Sequence, residues 1–504
     1  MSNGLGSLPL IGLGKAVGIG PPPHERMDQL ADRFGDVMTL QMGREPWVIL
    51  SSPSAVHEAF VVKGGDFSGR PMVPSMSISS GKGQGFAKKK LDPALIKLRQ
   101  KAFGELFDAR SVERSLSHFE AETELLVDHL VSASSSSNGG VEIRPALRRA
   151  VTNMVLRYAF SARVPYDGEQ STSVSPSSST PATGIGNIAC NSSPLFEELV
   201  DVVEHLWDEL TSTQTFLTDL VTDPRIADRY YEGMSPIPSL VEKRDNLIRK
   251  IVSQRRLERQ ANKNAKSSND MLDVLLGASL PESDVMYTLV DLFVAGVNTV
   301  STTLEWMLLL TAKEPQYQAR ARLDAASRRK RICTIDSKVS NHAEEQSYVD
   351  ALIKETLRYK PPLLLPRRSI VDTSIGKHRI PAGRIVMANN WSLTRDDDSW
   401  HLPNAFRPER WLEEEDRVFR GTESCKFIPY SIGKRACPGS RLAQAELSTA
   451  TDVLLRSVSW SPVELRTDLR EEYSLTLSPS RSQSLRFHRL ESKANKGNLS
   501  REKL

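Results

Sequence analysis

Apolar residues recur at helical spacing through the middle of the chain and alternate mainly near its two ends. From Pro281 to Glu314 the apolar pattern runs unbroken. Pro281 suits a first helical turn, where a missing N–H costs nothing, and Pro315 suits the end. A helix of that length would be about 50 Å long, enough to cross a whole domain. Residues 95–131 place Leu98, Ala102, Phe103 and Leu106 on one face and predict another helix. Val349, Leu352, Ile353, Thr356 and Leu357 share a face of a third helix, which stops before Pro361-Pro362. A fourth follows Pro438-Gly439, with Ala443, Leu447, Ala450 and Leu454 facing inward. Residues 37–41 and 47–50 flank a Met42-Gly43 turn and predict a hairpin. Short strand-like pieces lie between the third and fourth helices. The pattern predicts a mainly α fold with small β-sheets.

Polar tracts punctuate this framework. The serine-rich segments 132–140 and 171–184 are expected to be exposed loops, because such composition cannot bury enough apolar surface. Segments 261–269 and 327–346 read as similar connectors, and the basic run Arg328-Arg329-Lys330-Arg331 as a solvated part of the latter. Asp291, Asn298 and Glu305 interrupt the most apolar stretch, which argues for a buried helix rather than a membrane span. No signal peptide is expected before the entry segment closed by Pro21-Pro22-Pro23. The C-terminal Arg-Glu-Lys-Leu matches neither an ER-retention nor a peroxisomal address.

The charge balance narrows function little. With 66 basic and 62 acidic residues among 504, bulk charge gives no reason to expect nucleic acid as a partner. The four cysteines, Cys190, Cys333, Cys425 and Cys437, are too scattered for a disulfide framework, and no C-x-x-C pair suggests zinc. A reducing compartment, the cytoplasm, is the simplest expectation.

One cysteine stands in a distinctive setting, Phe427-Ile428-Pro429-Tyr430-Ser431-Ile432-Gly433-Lys434-Arg435-Ala436-Cys437-Pro438-Gly439. Gly433 and Gly439 permit tight turns and close approach of a flat ligand. A helix begins right after Cys437, and its N-terminal N–H groups favour a thiolate, as does Arg435 two residues away.

This loop resembles the haem-binding segment of cytochrome P450 enzymes, F-x-x-G-x-R-x-C-x-G, at Gly433, Arg435, Cys437 and Gly439. Tyr430 stands at the first aromatic, with Phe427 three residues earlier. Further motifs follow the family's order. Asp66-Phe67-Ser68-Gly69-Arg70-Pro71 precedes Ala295-Gly296-Val297-Asn298-Thr299, which resembles the oxygen-activation segment A-G-x-[D/E]-T. Glu355-Thr356-Leu357-Arg358 resembles E-x-x-R, whose ends share a helix face. Phe406-Arg407-Pro408-Glu409-Arg410-Trp411 supplies Arg410, implied by the family as third member of a structural triad with Glu355 and Arg358. The resemblance extends from Leu8-Pro9-Leu10-Ile11-Gly12 to the cysteine loop.

The resemblance implies one domain over residues 1–504 and a haem buried between the long helix and the cysteine loop. Cys437 would be the axial ligand to the iron. Thr299 would hold water or dioxygen and relay protons, with Ala295 and Gly296 leaving room beside the iron. Asn298 departs from the family, which usually has an acid there; an amide orients water but carries no proton at neutral pH. Arg435, Arg367 and Arg99 resemble the propionate partners, although Leu95 replaces a tryptophan of the family near Arg99. An apolar small substrate would sit near Val294, Ala295 and Thr299, lined by 363–365 and 475–477. The implied reaction is insertion of one oxygen atom from O2, by a monomer fed by a separate reductase or ferredoxin. Lys97, Arg99, Lys101, Lys426 and Lys434 would form the basic face that steers that donor. Membrane contact would be peripheral, through apolar loops. Two other readings are a haem-thiolate isomerase or dehydratase acting on peroxides, and a non-catalytic haem sensor.

Overall fold

The computed structural model describes residues 22–136, 140–166, 194–220, 222–261, 270–278, 280–334, 347–362, 364–413, 421–464, 467–473 and 477–490. The tract at 171–184, the segment Leu8-Pro9-Leu10-Ile11-Gly12, Pro21, Leu363 and Leu475 lie outside the described residues. The chain divides into two compact units, one of 1–71, 112–148 and 298–504, the other of 72–111 and 149–297.

The first unit is organised by a four-stranded sheet. The hairpin Val37–Met42 and Glu45–Leu50 continues into Ile385–Ala388, and Arg367–Arg368 closes the edge. Glu45–Leu50 and Ile385–Ala388 run parallel, with Trp47 opposite Ile385 and Leu50 opposite Ala388. Period-two alternation gives this sheet two buried faces. Ile49 and Met387 meet Met27 and Leu30 of the helix Pro23–Phe34. Val48, Leu50, Val386 and Ala388 pack on the other side with Phe60, Phe67, Leu364 and Cys425. A three-stranded sheet joins Val141–Glu142, Ser484–Arg489 and Val458–Pro462. The helix Tyr348–Tyr359 starts at Ser347, whose hydroxyl accepts from the Val349 N–H at 3.1 Å. It ends before Pro361, as the apolar pattern predicts.

The second unit is helical, with Pro194–Thr211, Thr213–Leu220, Pro224–Gly233, Ile237–Ala261 and Met271–Gly277. Arg255 fastens two of these helices, donating to both Asp270 carboxylate oxygens at 3.0 and 2.9 Å. The long helix spans Glu282–Lys313, within a residue of its expected ends at each side. By length and composition it would suffice for a bilayer, yet 61% of its most apolar stretch is buried in the protein.

Three expectations need correction. The helix expected at 95–131 is interrupted. A helical segment Pro93–Leu98 passes through a wider turn at Arg99–Phe103, and a new helix starts at Ala109. Asp108 causes the restart, because its carboxylate accepts the Ser111 N–H at 2.7 Å as an N-cap does. That helix then continues to Ser136, into the serine-rich tract, whose first residues are therefore helical. The basic run at 328–331 is likewise helical backbone, since the helix Pro315–Thr334 covers it.

Candidate functional site

Cys437 lies in the turn just ahead of the helix Ser440–Ser457. The loop before it is closed by two backbone bonds, Ala436 N–H to the Gly433 carbonyl at 3.0 Å and Cys437 N–H to the Tyr430 carbonyl at 2.8 Å. The Cys437 side chain is exposed, whereas Cys425 is fully buried. Burial pushes the Cys425 thiol up, only partly offset by Ser424 and Arg367. Of these two thiols, Cys437 therefore has both the access and the helix-start setting that an iron ligand requires.

The two loop glycines serve different ends. Gly433 adopts φ +70°, and a β-carbon there would sit 2.0 Å from the Phe60 carbonyl oxygen. The close approach here is to backbone of the turn Glu58–Val62. Gly439 caps the following helix at φ −86°, a conformation open to any residue. Tyr430 places its hydroxyl in a buried position without a hydrogen-bond partner. Burial, and then the nearby Cys437 and Glu446, push that phenol up.

Three arginines gather beside this loop. Arg367 is fully buried and lies over the Phe60 ring at 3.7 Å. Its Nη2 donates to Ser431 Oγ at 3.1 Å and to the Ile432 carbonyl at 2.5 Å. Its Nε and Nη1 have no hydrogen-bond partner. Arg435 is buried and donates from Nε to the Ser68 carbonyl at 2.8 Å. Arg70 donates to the Leu365 and Pro366 carbonyls at 2.9 and 3.0 Å. Burial, then Arg70 and Arg435, pull Arg367 down to about 9, and among the described residues no carboxylate figures as a counter-charge. A buried guanidinium with two orphaned donor atoms is costly unless an anion completes it. The donor set therefore fits the carboxylates of a haem beside an accessible thiol. Arg70 was not singled out from the sequence, though it lies in the quoted Phe67-Ser68-Gly69-Arg70-Pro71 string.

On the long helix, Ala295 and Thr299 are exposed while their neighbours Val297 and Val300 are buried. Positions four apart share a helix face, so these two mark the accessible stripe. Asn298 is turned inward, at 7% exposure. Gly296 faces the helix Ile143–Phe160, where an added β-carbon would lie 3.1 Å from a Val155 methyl. Its small size suits this close helix packing. Leu364 and Leu477 are buried, and the Leu477 carbonyl accepts from Trp306 Nε1 at 2.8 Å.

Glu355, Arg358 and Arg410 are all fully buried and in contact. Arg358 binds the Glu355 carboxylate in a fork, both bonds at 2.8 Å. Arg410 Nε donates to Glu355 at 3.1 Å, and Trp411 Nε1 and the Arg407 N–H add bonds at 3.0 and 2.8 Å. The remaining guanidinium donors reach backbone carbonyls of Thr394, His401, Pro403 and Ala405. One carboxylate thus serves two guanidinium groups, and the backbone carbonyls complete the hydrogen bonding of the cluster.

Two other expected residues pack against the aromatic pair Trp400 and Trp411. Phe427 packs on Trp411 and Trp400, with ring centroids 4.6 and 6.5 Å away, next to the triad. Arg99 belongs to the second unit. Lys434 is exposed, but Lys426 is not part of a basic face. Its ammonium is buried over the Trp400 ring at 4.9 Å and donates to the Ser399 carbonyl at 3.1 Å. The sequence reading also passed over Glu446, buried in the helix after Cys437. Burial alone pushes its carboxyl up to about 8. Its one signal is its spacing, four residues from Leu442 and from Ala450 on a buried helix face.

A family model described as Cytochrome P450 matches residues 3–486. (S)-N-methylcoclaurine 3'-hydroxylase isozyme 1 of Papaver somniferum is 26% identical over 482 residues, 92% of this chain and 90% of the relative. Steroid 17-alpha-hydroxylase/17,20 lyase of Ictalurus punctatus is 29% identical over 468 residues, 88% and 82% of the two chains. Among solved structures, a zebra fish cytochrome P450 with progesterone superposes with a TM-score of 0.70 at 22% identity, covering 94% of this chain and all of that one.

Proposed function

The chain belongs to the cytochrome P450 family, and on that premise we propose that it inserts one oxygen atom of O2 into an apolar small molecule, with Cys437 as the thiolate that would hold a haem iron. Its relatives are hydroxylases and monooxygenases, which makes it an oxidoreductase of that class. The observation that carries the haem assignment is the buried, anion-deficient Arg367 flanked by Arg70 and Arg435 beside the accessible cysteine. When bound, a thiolate-ligated haem supplies the electron push that favours O–O cleavage.

The chain's own residues then divide the work. The start of the helix Ser440–Ser457 favours negative charge at Cys437 through its free N–H groups. Arg367 and Arg435 would hold the haem carboxylates, and guanidinium forks suit such pairs. The Thr299 hydroxyl, on the accessible stripe, holds a water and passes its proton inward. Asn298 orients but does not donate a titrating proton. Electrons come from a separate reductase or ferredoxin, met at a face that includes Lys434.

The test is the absorption spectrum of purified, dithionite-reduced protein with and without carbon monoxide. A strongly red-shifted Soret band in the wild type, lost in Cys437→Ser, is the expected result. A histidine-type band in the wild type, or no haem band, would overturn the proposal.

A further inference from the structure

The helix Pro23–Phe34 and the strand Glu471–Tyr473 bring together groups that the haem chemistry does not use. His24 and Glu25 occupy the first turn of Pro23–Phe34, and Glu471 opens the strand Glu471–Tyr473. Their ligand atoms all lie within 4.8 Å of one another. All three belong to the first unit. We propose that His24, Glu25 and Glu471 form a binding site for a divalent transition-metal cation, Zn2+ by the nature of the donors, which ties the helix Pro23–Phe34 to the strand Glu471–Tyr473.

The donors suit that ion. One imidazole and two carboxylates make a mixed nitrogen and oxygen set, which zinc accepts and the harder magnesium and calcium do not seek. Bonds near 2.1 Å put tetrahedral donors roughly 3.4 Å apart, so side-chain rotation of about an ångström closes the cluster. Three protein ligands leave one position for water. A cavity of about 20 Å³ lies alongside, lined by His24, Asn390, Trp391 and Leu477 among others. That is room for one water molecule.

The imidazole is prepared for the role. His24 is 3% exposed, and its ring stands edge-on to Trp391 at 4.4 Å, which fixes its orientation. Burial holds it neutral well past the ordinary range, down to about 4, against the opposing pull of Glu471. Neutral imidazole is the form that ligates metal.

Two cations stand nearby and must be weighed. The Lys360 ammonium contacts Glu471 Oε1, donates to the Leu469 carbonyl at 3.1 Å and rests on the Trp306 ring at 4.4 Å. It occupies one oxygen of Glu471 and leaves the other. Arg395 is drawn over the Trp391 ring, 3.1 Å from its centroid. Against these two stand the carboxylates of Glu25, Asp28 and Glu471, so the surroundings retain a negative balance. Burial and the like charge of Glu471 already push Glu25 up, a repulsion that a shared cation would relieve. No local motif announces the site, because His24-Glu25 and Glu471 lie at opposite ends of the sequence.

The test uses haem-loaded enzyme stripped of adventitious metal with a chelator. It is titrated with Zn2+ by calorimetry and with Co2+ by visible absorption. We expect one equivalent of each, weakened at least about tenfold in Glu25→Gln and in Glu471→Gln. In His24→Gln the Co2+ absorption should lose its nitrogen-ligand character. Unchanged haem content certifies folding, and Glu25, being half-buried, is the variant least exposed to misfolding. Failure of the wild type to take up one equivalent tighter than about 1 mM, or equal uptake by the Glu25→Gln and Glu471→Gln variants, overturns the site.

Discussion

The Phe60 carbonyl oxygen occupies the place where a β-carbon at position 433 would go, 2.0 Å from it. Gly433 also holds φ +70°. Both conditions require glycine, and both act on the loop that carries Cys437. Gly433→Ala should therefore cost about 1–3 kcal/mol from backbone strain alone, with the clash in addition. The expected readout is a lower thermal midpoint and less haem-loaded protein. A variant with wild-type midpoint and haem content would show that the loop moves away at no cost.

Glu355 is the hub of its cluster, accepting from Arg358, Arg410, Trp411 and the Arg407 backbone. Glu355→Ala would leave two buried guanidinium groups without a counter-charge, at a cost of roughly 3–5 kcal/mol. Little soluble, haem-loaded protein should accumulate. Normal haem content in this variant would remove the triad from the account of folding.

Glu446 gives the stability a pH dependence of defined sign. Burial raises its folded pKa from 4.5 to about 8. Between those values the folded state holds a proton that the unfolded state has released. The corresponding stabilisation is complete below about 4.5 and is lost as pH rises through 8. Glu446→Gln should flatten the fall in urea midpoint between pH 5 and pH 8.5. Parallel curves for variant and wild type would mean the carboxyl is not the titrating group.

Thr299 is the accessible hydroxyl of its helix stretch, with Asn298 turned inward. Thr299→Ala should keep substrate binding but raise the peroxide released per electron pair consumed. Thr299→Ser should restore most of the coupling. Equal peroxide yields in wild type and alanine variant would argue that protons arrive by another route.

Lys434 is exposed within the cysteine loop, and its ammonium lies 3.3 Å from where a Gly65 side chain would start. Lys434→Glu should slow reduction by an acidic electron donor more at low than at high ionic strength, since screening removes the repulsion. A deficit equal at both would point to disrupted contact rather than steering.

How far the sequence goes can be judged from particular residues. The hairpin, the long helix and the helix ending before Pro361 are written in local periodicity and proline placement, and they lie where expected. Cys437, Arg435 and the Glu355 cluster are readable because their motifs are contiguous or lie on one helix face. Arg70 and Arg367 converge across 297 residues, a pairing that no local pattern encodes. Lys426 looks like a surface cation until Trp400 covers it. The restart at Asp108 escaped notice because a cap residue in a helical pattern resembles an ordinary polar position.

The parallel pairing of Trp47–Leu50 with Ile385–Ala388 has a consequence for biosynthesis. The N-terminal hairpin leaves the ribosome with one long edge bare, and the strand that covers it is 338 residues away. At about 5–20 residues per second the wait is tens of seconds. Throughout that interval Val48 and Leu50 lack Val386, Ala388 and Leu364, part of the cluster that buries them in the finished molecule. A ribosome stalled before residue 385 therefore releases a product whose four-stranded sheet cannot close.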